Sequence, residues 1–228
     1  MGELDKRGEF SFKRFDRLGE TEDIEKAISL LGNAVHLTPE GHTDKPGRLN
    51  DLGVSLLRRF EHLGEMVDIE KAISNLEDAV RLTPDRHTDK PSRLNNLGIS
   101  LLRRFERLGE MGDIEKAISS LEDVVQLTLD GHADKPSRLS NLGSSLSTRF
   151  KRLGEMGDIE KTISSLEDAV RLAPDGHADK PSLLSNLGTS LRMRFERLGD
   201  MGDIEKGISS LIPRARSCDW NVAMSIIS

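Results

Sequence analysis

The sequence predicts an all-α protein built as a solenoid of stacked helix–turn–helix repeats. Two sets of residues recur every 45 positions, the phenylalanines Phe15, Phe60, Phe105, Phe150 and Phe195 and the prolines Pro46, Pro91, Pro136 and Pro181. A fixed period of this length is typical of repeat proteins in which each unit contacts mainly its neighbours. With 36% hydrophobic residues, one Trp and no Tyr, the core must consist mainly of Leu, Ile, Val and Ala.

The third repeat shows how each first helix is specified. Apolar residues recur at helical spacing and define one face, namely Leu94, Leu97, Leu101, Phe105 and Leu108. Pro91 suits the first turn, where a missing N–H costs nothing, and Gly109 is typical of the residue just past a helix end. Gly98 lies inside the apolar face although glycine weakens helices. We therefore expect the paired helix to approach closely there.

The second helix of the repeat follows a short turn. We expect Asp113 to be its N-cap, because Asp side chains accept hydrogen bonds from the free N–H groups at helix starts. Its apolar residues are Ile114, Ala117, Ile118, Leu121, Val124, Val125 and Leu127. A single hairpin gains about as much from burying these side chains as it loses in ordering its chain. Stacking between repeats must therefore stabilise the fold.

We predict one repeat array over residues 1–211 and a non-repeat tail over residues 212–228. The predicted repeats span residues 1–45, 46–90, 91–135, 136–180 and, in truncated form, 181–211. Pro213 is expected to end the last helix, and disorder is the hypothesis for the tail. Neither end resembles a polar capping repeat. We therefore interpret the chain as a segment of a longer array or as a shortened gene product.

The motif of the third repeat resembles the tetratricopeptide repeat (TPR). Leu94-x-x-Leu97-Gly98-x-x-Leu101 followed by Ala117-x-x-x-Leu121 matches the spacing of that repeat, with Leu in place of its bulky aromatic residues. The 45-residue period exceeds the usual length of about 34. It is similar to kinesin-light-chain-like arrays and to arrays of mushroom-forming fungi, which are often joined to a caspase-like or nucleotide-binding domain. The resemblance implies a right-handed α–α superhelix whose concave groove, lined by the first helices, binds peptides.

No residue pattern indicates catalysis, a cofactor or a bound metal. Histidines recur in the loops at His42, His87, His132 and His177, but equivalent loops in a stack lie roughly 18–20 Å apart, too far to share a zinc ion. We therefore predict local hydrogen bonds for them, with Asp89 capping the helix that follows. Cys218 lacks the positioned base that a nucleophile needs. A second ladder, Arg14, Arg59, Arg104, Arg149 and Arg194, is predicted to pair with local carboxylates.

Composition excludes two classes of partner. The charges are interleaved, with a net charge of −6, so there is no basic stripe for nucleic acid. No apolar stretch is long enough to cross a membrane, and the single cysteine fits a reducing compartment. We therefore predict a cytoplasmic protein that binds neither nucleic acid nor membrane.

The predicted binding surface is the face of each first helix that points away from its apolar face. We assign to it Asn50, Asp51, Val54, Leu57, Arg58, Asn95, Asn96, Ile99, Leu102, Arg103, Asn141, Ser144, Thr148, Asn186, Thr189 and Arg192. The floor is expected to be apolar around Val54 and Leu57 and their equivalents Ile99 and Leu102, and polar around Ser144 and Thr189. The asparagines Asn96, Asn141 and Asn186 are expected to hydrogen-bond a ligand backbone.

Variation between repeats favours this assignment. Val54 corresponds to Ile99, Ser144 and Thr189, whereas Ser55, Ser100, Ser145 and Ser190, also interpreted as outward, are identical. Neutral drift would have changed both sets, so the difference indicates a groove that has diversified for binding.

The predicted function is a non-catalytic scaffold that binds a protein or peptide of unknown identity. Two alternatives remain. One is a structural array that self-associates through its uncapped ends. The other is the regulatory TPR fragment of a larger caspase-like or nucleotide-binding protein that lacks its effector domain.

Overall fold

A computed structural model describes residues 2–211, and over that range the protein consists of α-helices and short connections. The described part contains ten helices: α1 (Glu3–Leu18), α2 (Thr21–Leu37), α3 (Lys45–Leu63), α4 (Met66–Arg81), α5 (Lys90–Leu108), α6 (Met111–Leu127), α7 (Lys135–Leu153), α8 (Met156–Leu172), α9 (Lys180–Leu198) and α10 (Met201–Leu211). They form five helix–turn–helix pairs. The predicted fold class is confirmed, whereas the expectations for Pro213 and for the tail lie outside the described residues.

Proline and glycine set the ends of the first helices. α5 begins one residue before Pro91, which therefore occupies the first turn. It ends at Gly109, which has a left-handed φ of 73° and donates its N–H to the carbonyl of Phe105 at 2.7 Å. α3, α7 and α9 begin and end in the same way, so both predictions are confirmed.

The glycine inside each first helix lies against a leucine of the second helix. A Cβ added to Gly53 would lie 2.7 Å from Cγ of Leu76, and one added to Gly98 would lie 2.8 Å from Cγ of Leu121. Both leucines are fully buried. The close approach predicted from the glycine pattern is confirmed at these positions.

An arginine of each first helix holds a buried aspartate of the second. Arg104 donates through Nε and Nη2 to the two carboxylate oxygens of Asp113, at 2.7 and 2.6 Å. The same ion pair recurs as Arg14–Asp23, Arg59–Asp68, Arg149–Asp158 and Arg194–Asp203. The predicted pairing of the arginine ladder is confirmed. The N-cap prediction for Asp113 is wrong, because α6 begins two residues earlier, at Met111, and the arginine takes both carboxylate oxygens.

A lysine and an arginine tie the start of a first helix to the end of the preceding second helix. Lys90 donates through Nζ to the carbonyl oxygens of Val80 and Thr83, at 3.0 and 2.8 Å. Arg93 donates to the Thr83 hydroxyl. Carbonyls at a helix end lack partners within the helix and carry partial negative charge, so they suit an ammonium group. Lys45 and Arg48 make the same bonds one repeat earlier. Sequence reasoning missed this contact between repeats.

The chain divides into two compact units, the first ending at Leu127 and the second beginning at Thr128. In the first unit α2 packs on α3 and α4 on α5, and in the second unit α8 packs on α9. Repeats therefore stack within each unit around a buried apolar core. Examples of completely buried residues are Ile69, Leu76 and Ile114 in the first unit and Ile159 and Leu191 in the second.

Candidate functional site

The first helices of the first unit enclose a cavity of about 510 Å³, which we call the unit-1 groove. Its apolar lining is Phe12 of α1, Leu31 of α2 and Val54 of α3. Its polar lining is Glu9, Lys13, Asp16, Asn50, Asp51, Ser55 and Asn96. Four residues predicted from the sequence are thus brought together: Asn50, Asp51, Val54 and Asn96.

Helical spacing places these side chains in the groove. Glu9, Phe12, Lys13 and Asp16 follow one another at short intervals along α1, so they share one face of that helix. On α3, Asn50 and Val54 are one helical turn apart and also share a face. Because α1, α3 and α5 occupy the same place in successive repeats, these faces form one continuous wall.

The groove asparagines bond to each other across neighbouring first helices. Asn96 donates through Nδ2 to Oδ1 of Asn50 at 2.9 Å. In the second unit the Nδ2 of Asn186 donates to the hydroxyl of Ser140 at 3.4 Å. In this state Asn96 and Asn186 therefore each use one amide donor within the protein, and the expectation that they hydrogen-bond a ligand backbone stays a prediction. Each amide still has further donor and acceptor positions.

The carboxylates of the groove differ in their partners. Glu9 accepts a hydrogen bond from Lys13 at 2.6 Å, and Asp16 lies 3.8 Å from the guanidinium of Arg58. Asp51 accepts a bond only from the amide of Asn50, at 3.3 Å, among the polar contacts found in the described part of the chain. Solvent reaches its side chain, but the groove walls displace much of the surrounding water. This loss of water raises the pKa of Asp51. The hydrogen bond from Asn50 opposes the rise, the nearby carboxylates Glu9 and Asp5 add to it, and the charge of Arg93 opposes it least.

Two of the predicted groove residues are not at the surface. Leu57 and Leu102 are each only 6% exposed, so the prediction that they form an apolar floor is wrong. Both belong to the buried hydrophobic core. Val54 and Ile99 are half-buried, as the surface of a groove requires.

The remaining predicted residues of the first unit lie beside the groove. Asn95 is half-buried, Arg58 is exposed and Arg103 is half-buried. Arg103 donates to Glu61 of α3 at 3.2 Å and to Glu106 of its own helix at 2.9 Å. This arginine therefore links two neighbouring first helices.

In the second unit the predicted surface is more polar. Ser144, Asn186, Thr189 and Arg192 are exposed, whereas Asn141 and Thr148 are half-buried. Arg192 forms an ion pair with Glu196 of its own helix at 3.3 Å. The predicted contrast therefore holds at one position of the repeat, where Val54 and Ile99 are apolar and Ser144 and Thr189 are polar.

The serine ladder has a structural explanation. Ser55, Ser100, Ser145 and Ser190 are all buried, with at most 3% of their surface exposed. Ser55, Ser100 and Ser190 each donate to the carbonyl four residues earlier. Their interpretation as outward positions is therefore wrong. Their identity reflects tight packing, so it no longer serves as a measure of neutral drift at exposed sites.

The loop histidines hydrogen-bond locally, as predicted. The Nδ1 of His87 accepts the backbone N–H of Asp89 at 3.1 Å, and His42, His132 and His177 repeat this bond. Asp89 occupies the N-cap position, but its side chain makes no capping bond and instead accepts from Arg93 at 3.1 Å. Within residues 2–211 no group of His, Cys, Asp and Glu could hold a metal ion. Cys218 lies outside the described residues.

Comparison with known proteins defines the fold. A putative kinesin light chain with nearly identical TPR-like repeats from Podosopora anserina superposes with a TM-score of 0.66 at 15% identity, covering 95% of this chain and 100% of that one. BtubC (BKLC) from P. vanneervenii gives 0.60 at 16% identity, with 96% and 97% of the two chains covered. A thermophilic TPR protein from Thermus thermophilus gives 0.52 at 16% identity, with 90% and 98% covered.

The chain therefore has the fold of TPR-like repeat proteins, and the resemblance noted in the sequence is confirmed at the level of fold. A scan against protein-family models gave no match, and a search of curated proteins found none that is similar. Among the described helices, none is both long enough and apolar enough to span a membrane.

Proposed function

We propose that this protein is a non-catalytic scaffold that binds a peptide segment of a partner protein along its first helices. The unit-1 groove is the observation that carries the proposal, because Asn50, Asp51, Val54 and Asn96 line one cavity there. The fold supports it, since TPR-like arrays generally serve as protein-interaction scaffolds. A cytoplasmic location stays a prediction.

The unit-1 groove has the physical properties of a peptide anchor site. Its volume of about 510 Å³ lies within the range of about 300–1,000 Å³ that is typical of ligand pockets. Phe12 and Val54 are half-buried and offer apolar surface that a ligand side chain can cover, above the buried Leu31. Burial of such anchors supplies most of the affinity at protein interfaces. The surrounding amides and carboxylates provide hydrogen bonds that fix the orientation of the ligand.

The exposed first-helix residues of the second unit offer a separate, more polar surface. Ser144, Asn186 and Thr189 carry hydroxyl and amide groups suited to a ligand backbone, and Arg192 adds a positive charge. We propose that this surface contributes specificity, because polar contacts at a rim discriminate between partners more than they add affinity.

The test replaces groove residues by those that the protein itself carries in other repeats. Val54→Ser copies Ser144 and Ile99→Thr copies Thr189, so both changes are compatible with a first helix. Glu70→Gln on the exposed side of α4 is the control. Each purified variant is used to capture proteins from a lysate, and circular dichroism verifies its helix content.

The proposal predicts a partner that the native chain and Glu70→Gln retain and that the Val54→Ser, Ile99→Thr double variant loses. Equal capture by all three chains would overturn it. Leu102 is not a suitable site for substitution, because its burial would confound lost binding with lost folding.

A second candidate function is self-association, which the exposure of Phe10 favours. Phe10 is 67% exposed on α1, whereas the equivalent residues Ser55 and Ser100 are buried. An exposed aromatic side chain at a position built for packing suits contact with a second copy. Light scattering over a range of concentrations would show association that Phe10→Ser abolishes, and a constant monomer mass would exclude it. The hypothesis of a regulatory fragment stays a prediction.

A further inference from the structure

Asp51 lies where two cavities of the first unit meet. One is the unit-1 groove, and the other is a cavity of about 430 Å³ bounded by the loops that precede α3 and α5. The groove has Phe12 and Val54 in its lining, whereas the second cavity is lined by polar and charged residues and one glycine. A ligand that crosses both would place an apolar side chain next to a polar or charged one.

The two cavities together are acidic. Six carboxylates line them: Asp5, Glu9, Asp16, Asp44, Asp51 and Asp89. The cations that line them are Lys13, Arg48 and Arg93, and all three are engaged. Lys13 pairs with Glu9 at 2.6 Å, Arg48 with Asp5 at 2.9 Å and Arg93 with Asp89 at 3.1 Å.

Asp51 carries the negative charge of the two cavities that is not balanced by a paired cation. Asp16 and Asp44 each lie within 3.8 Å of a guanidinium, those of Arg58 and Arg48. Asp51 instead has the neutral amide of Asn50 as its hydrogen-bond partner. Asp51 is exposed, but partial loss of the water around its carboxylate raises its pKa, so the folded protein alone does not favour the ionised form.

The sequence singles out the same residue. The positions equivalent to Asp51 in the later repeats are Asn96, Asn141 and Asn186. Asn has nearly the shape of Asp, so packing does not require the carboxylate in this one repeat. What distinguishes the second repeat is the negative charge.

We infer that the ligand of the unit-1 groove is a basic, extended peptide segment in which a Lys or Arg lies next to an apolar side chain. The apolar side chain occupies the space between Phe12 and Val54, and the cation pairs with Asp51. Complementary charge speeds association and rejects wrong partners, so acidic segments are excluded by repulsion. This inference rests on the proposed function, since it names the ligand class of the same site.

The experiment selects displayed random peptides on the native chain and measures their binding by fluorescence polarisation. The selected peptide is compared with two versions in which its basic residues are replaced by Gln or by Glu. The proteins are the native chain, Asp51→Asn, Val54→Ser and the control Glu70→Gln, which removes one negative charge elsewhere.

We expect the selected peptides to contain a basic residue beside an apolar one. Asp51→Asn should bind them about fivefold more weakly than the native chain does, which is the upper end of what an accessible ion pair contributes. Added salt should narrow this difference because it screens the pair. The Gln version of the peptide should bind the native chain and Asp51→Asn with equal affinity, and the Glu version should bind neither. The control Glu70→Gln should bind the selected peptide as tightly as the native chain does.

Other results would distinguish failure of the basic-ligand inference from failure of the proposed peptide-binding function. Selection of neutral or acidic peptides that Val54→Ser loses but Asp51→Asn retains would overturn the basic ligand and leave the peptide-binding groove intact. Selection of no peptide, or only of peptides that Val54→Ser binds as well as the native chain does, would overturn both.

Discussion

Replacing Gly53 by alanine would show how closely the two helices of a repeat must pack. The new Cβ would lie 2.7 Å from Cγ of Leu76 and 3.2 Å from the carbonyl oxygen of Ala72, whereas carbon atoms pack best at about 3.5–4.0 Å. Leu76 is fully buried and the carbonyl belongs to a helix, so neither can move away without cost. Overpacking of this kind costs about 1–3 kcal/mol.

Part of this cost is offset, because alanine is a better helix former than glycine by about 1 kcal/mol. The expected net loss for Gly53→Ala is therefore up to about 2 kcal/mol. The matched control is Gly112→Ala in α6, where a Cβ would meet nothing within 4 Å. Only the gain in helix propensity should appear there. Gly143→Ala should fall between them, because its Cβ would lie 3.2 Å from Cγ of Leu166.

Thermal and urea unfolding, followed by circular dichroism, would measure the series. A change of 1 kcal/mol corresponds to about 2–4 °C in Tm for a chain of this size, so the variants should separate by several degrees. Because repeat arrays can unfold in more than one step, native-state hydrogen exchange of α3 and α4 is the second readout. Equal stability of Gly53→Ala and Gly112→Ala would show that the two helices do not need to pack this closely.

Three further changes test other parts of the account. Arg104→Ala should lower the free energy of unfolding by about 2–4 kcal/mol, because it leaves the buried carboxylate of Asp113 unpaired. Replacing the exposed Arg107 by alanine should change it by less than about 0.5 kcal/mol. Equal losses of the two variants in urea unfolding would contradict this. Lys90→Met should cost about 1–2 kcal/mol through loss of its bonds to helix-end carbonyls, and an unchanged Tm would show that these bonds do not stabilise the junction. Asp51→Asn should raise the Tm at neutral pH, because a folded-state pKa above the unfolded value means that ionisation disfavours the fold. That gain should vanish as the pH falls through the folded pKa towards the unfolded value of about 3.9, and a gain independent of pH would contradict it.

The repeat architecture could be predicted because it depends on local rules. Pro91 and Gly109 mark helix ends through their own backbone restrictions, and Gly98 within an apolar face requires a close neighbour. The function of Asp113 could not be predicted in the same way. Its position near a helix start suggested a cap, but its actual partner, Arg104, lies on the preceding helix and is brought to it only by the turn.

The candidate site was predicted in part. Asn50, Asp51, Val54 and Asn96 reach one cavity because helical spacing alone orients them outward. Burial of Leu57 and Leu102 depends on the packing of other helices around them, which a plot of one helix cannot show. The Asn96–Asn50 bond likewise depends on the distance between two first helices.

Phe12, Glu9 and Asp16 were missed because the first repeat is degenerate. Their spacing at every third or fourth residue of α1 could have identified them. The charge of Asp51 was also visible, as the single Asp among the Asn residues at its position. Its importance emerges only from the second cavity that it shares.

The most direct test of the account is methyl NMR of the native chain, titrated with the selected basic peptide. The account predicts that the largest shifts occur at the methyl groups of Val54 and Leu31 and are much smaller in Asp51→Asn at the same sub-saturating peptide concentration. Val67, which is exposed on α4, should not shift. Shifts centred on Val67, with Val54 and Leu31 unchanged, would contradict the claim that the first helices form the binding groove.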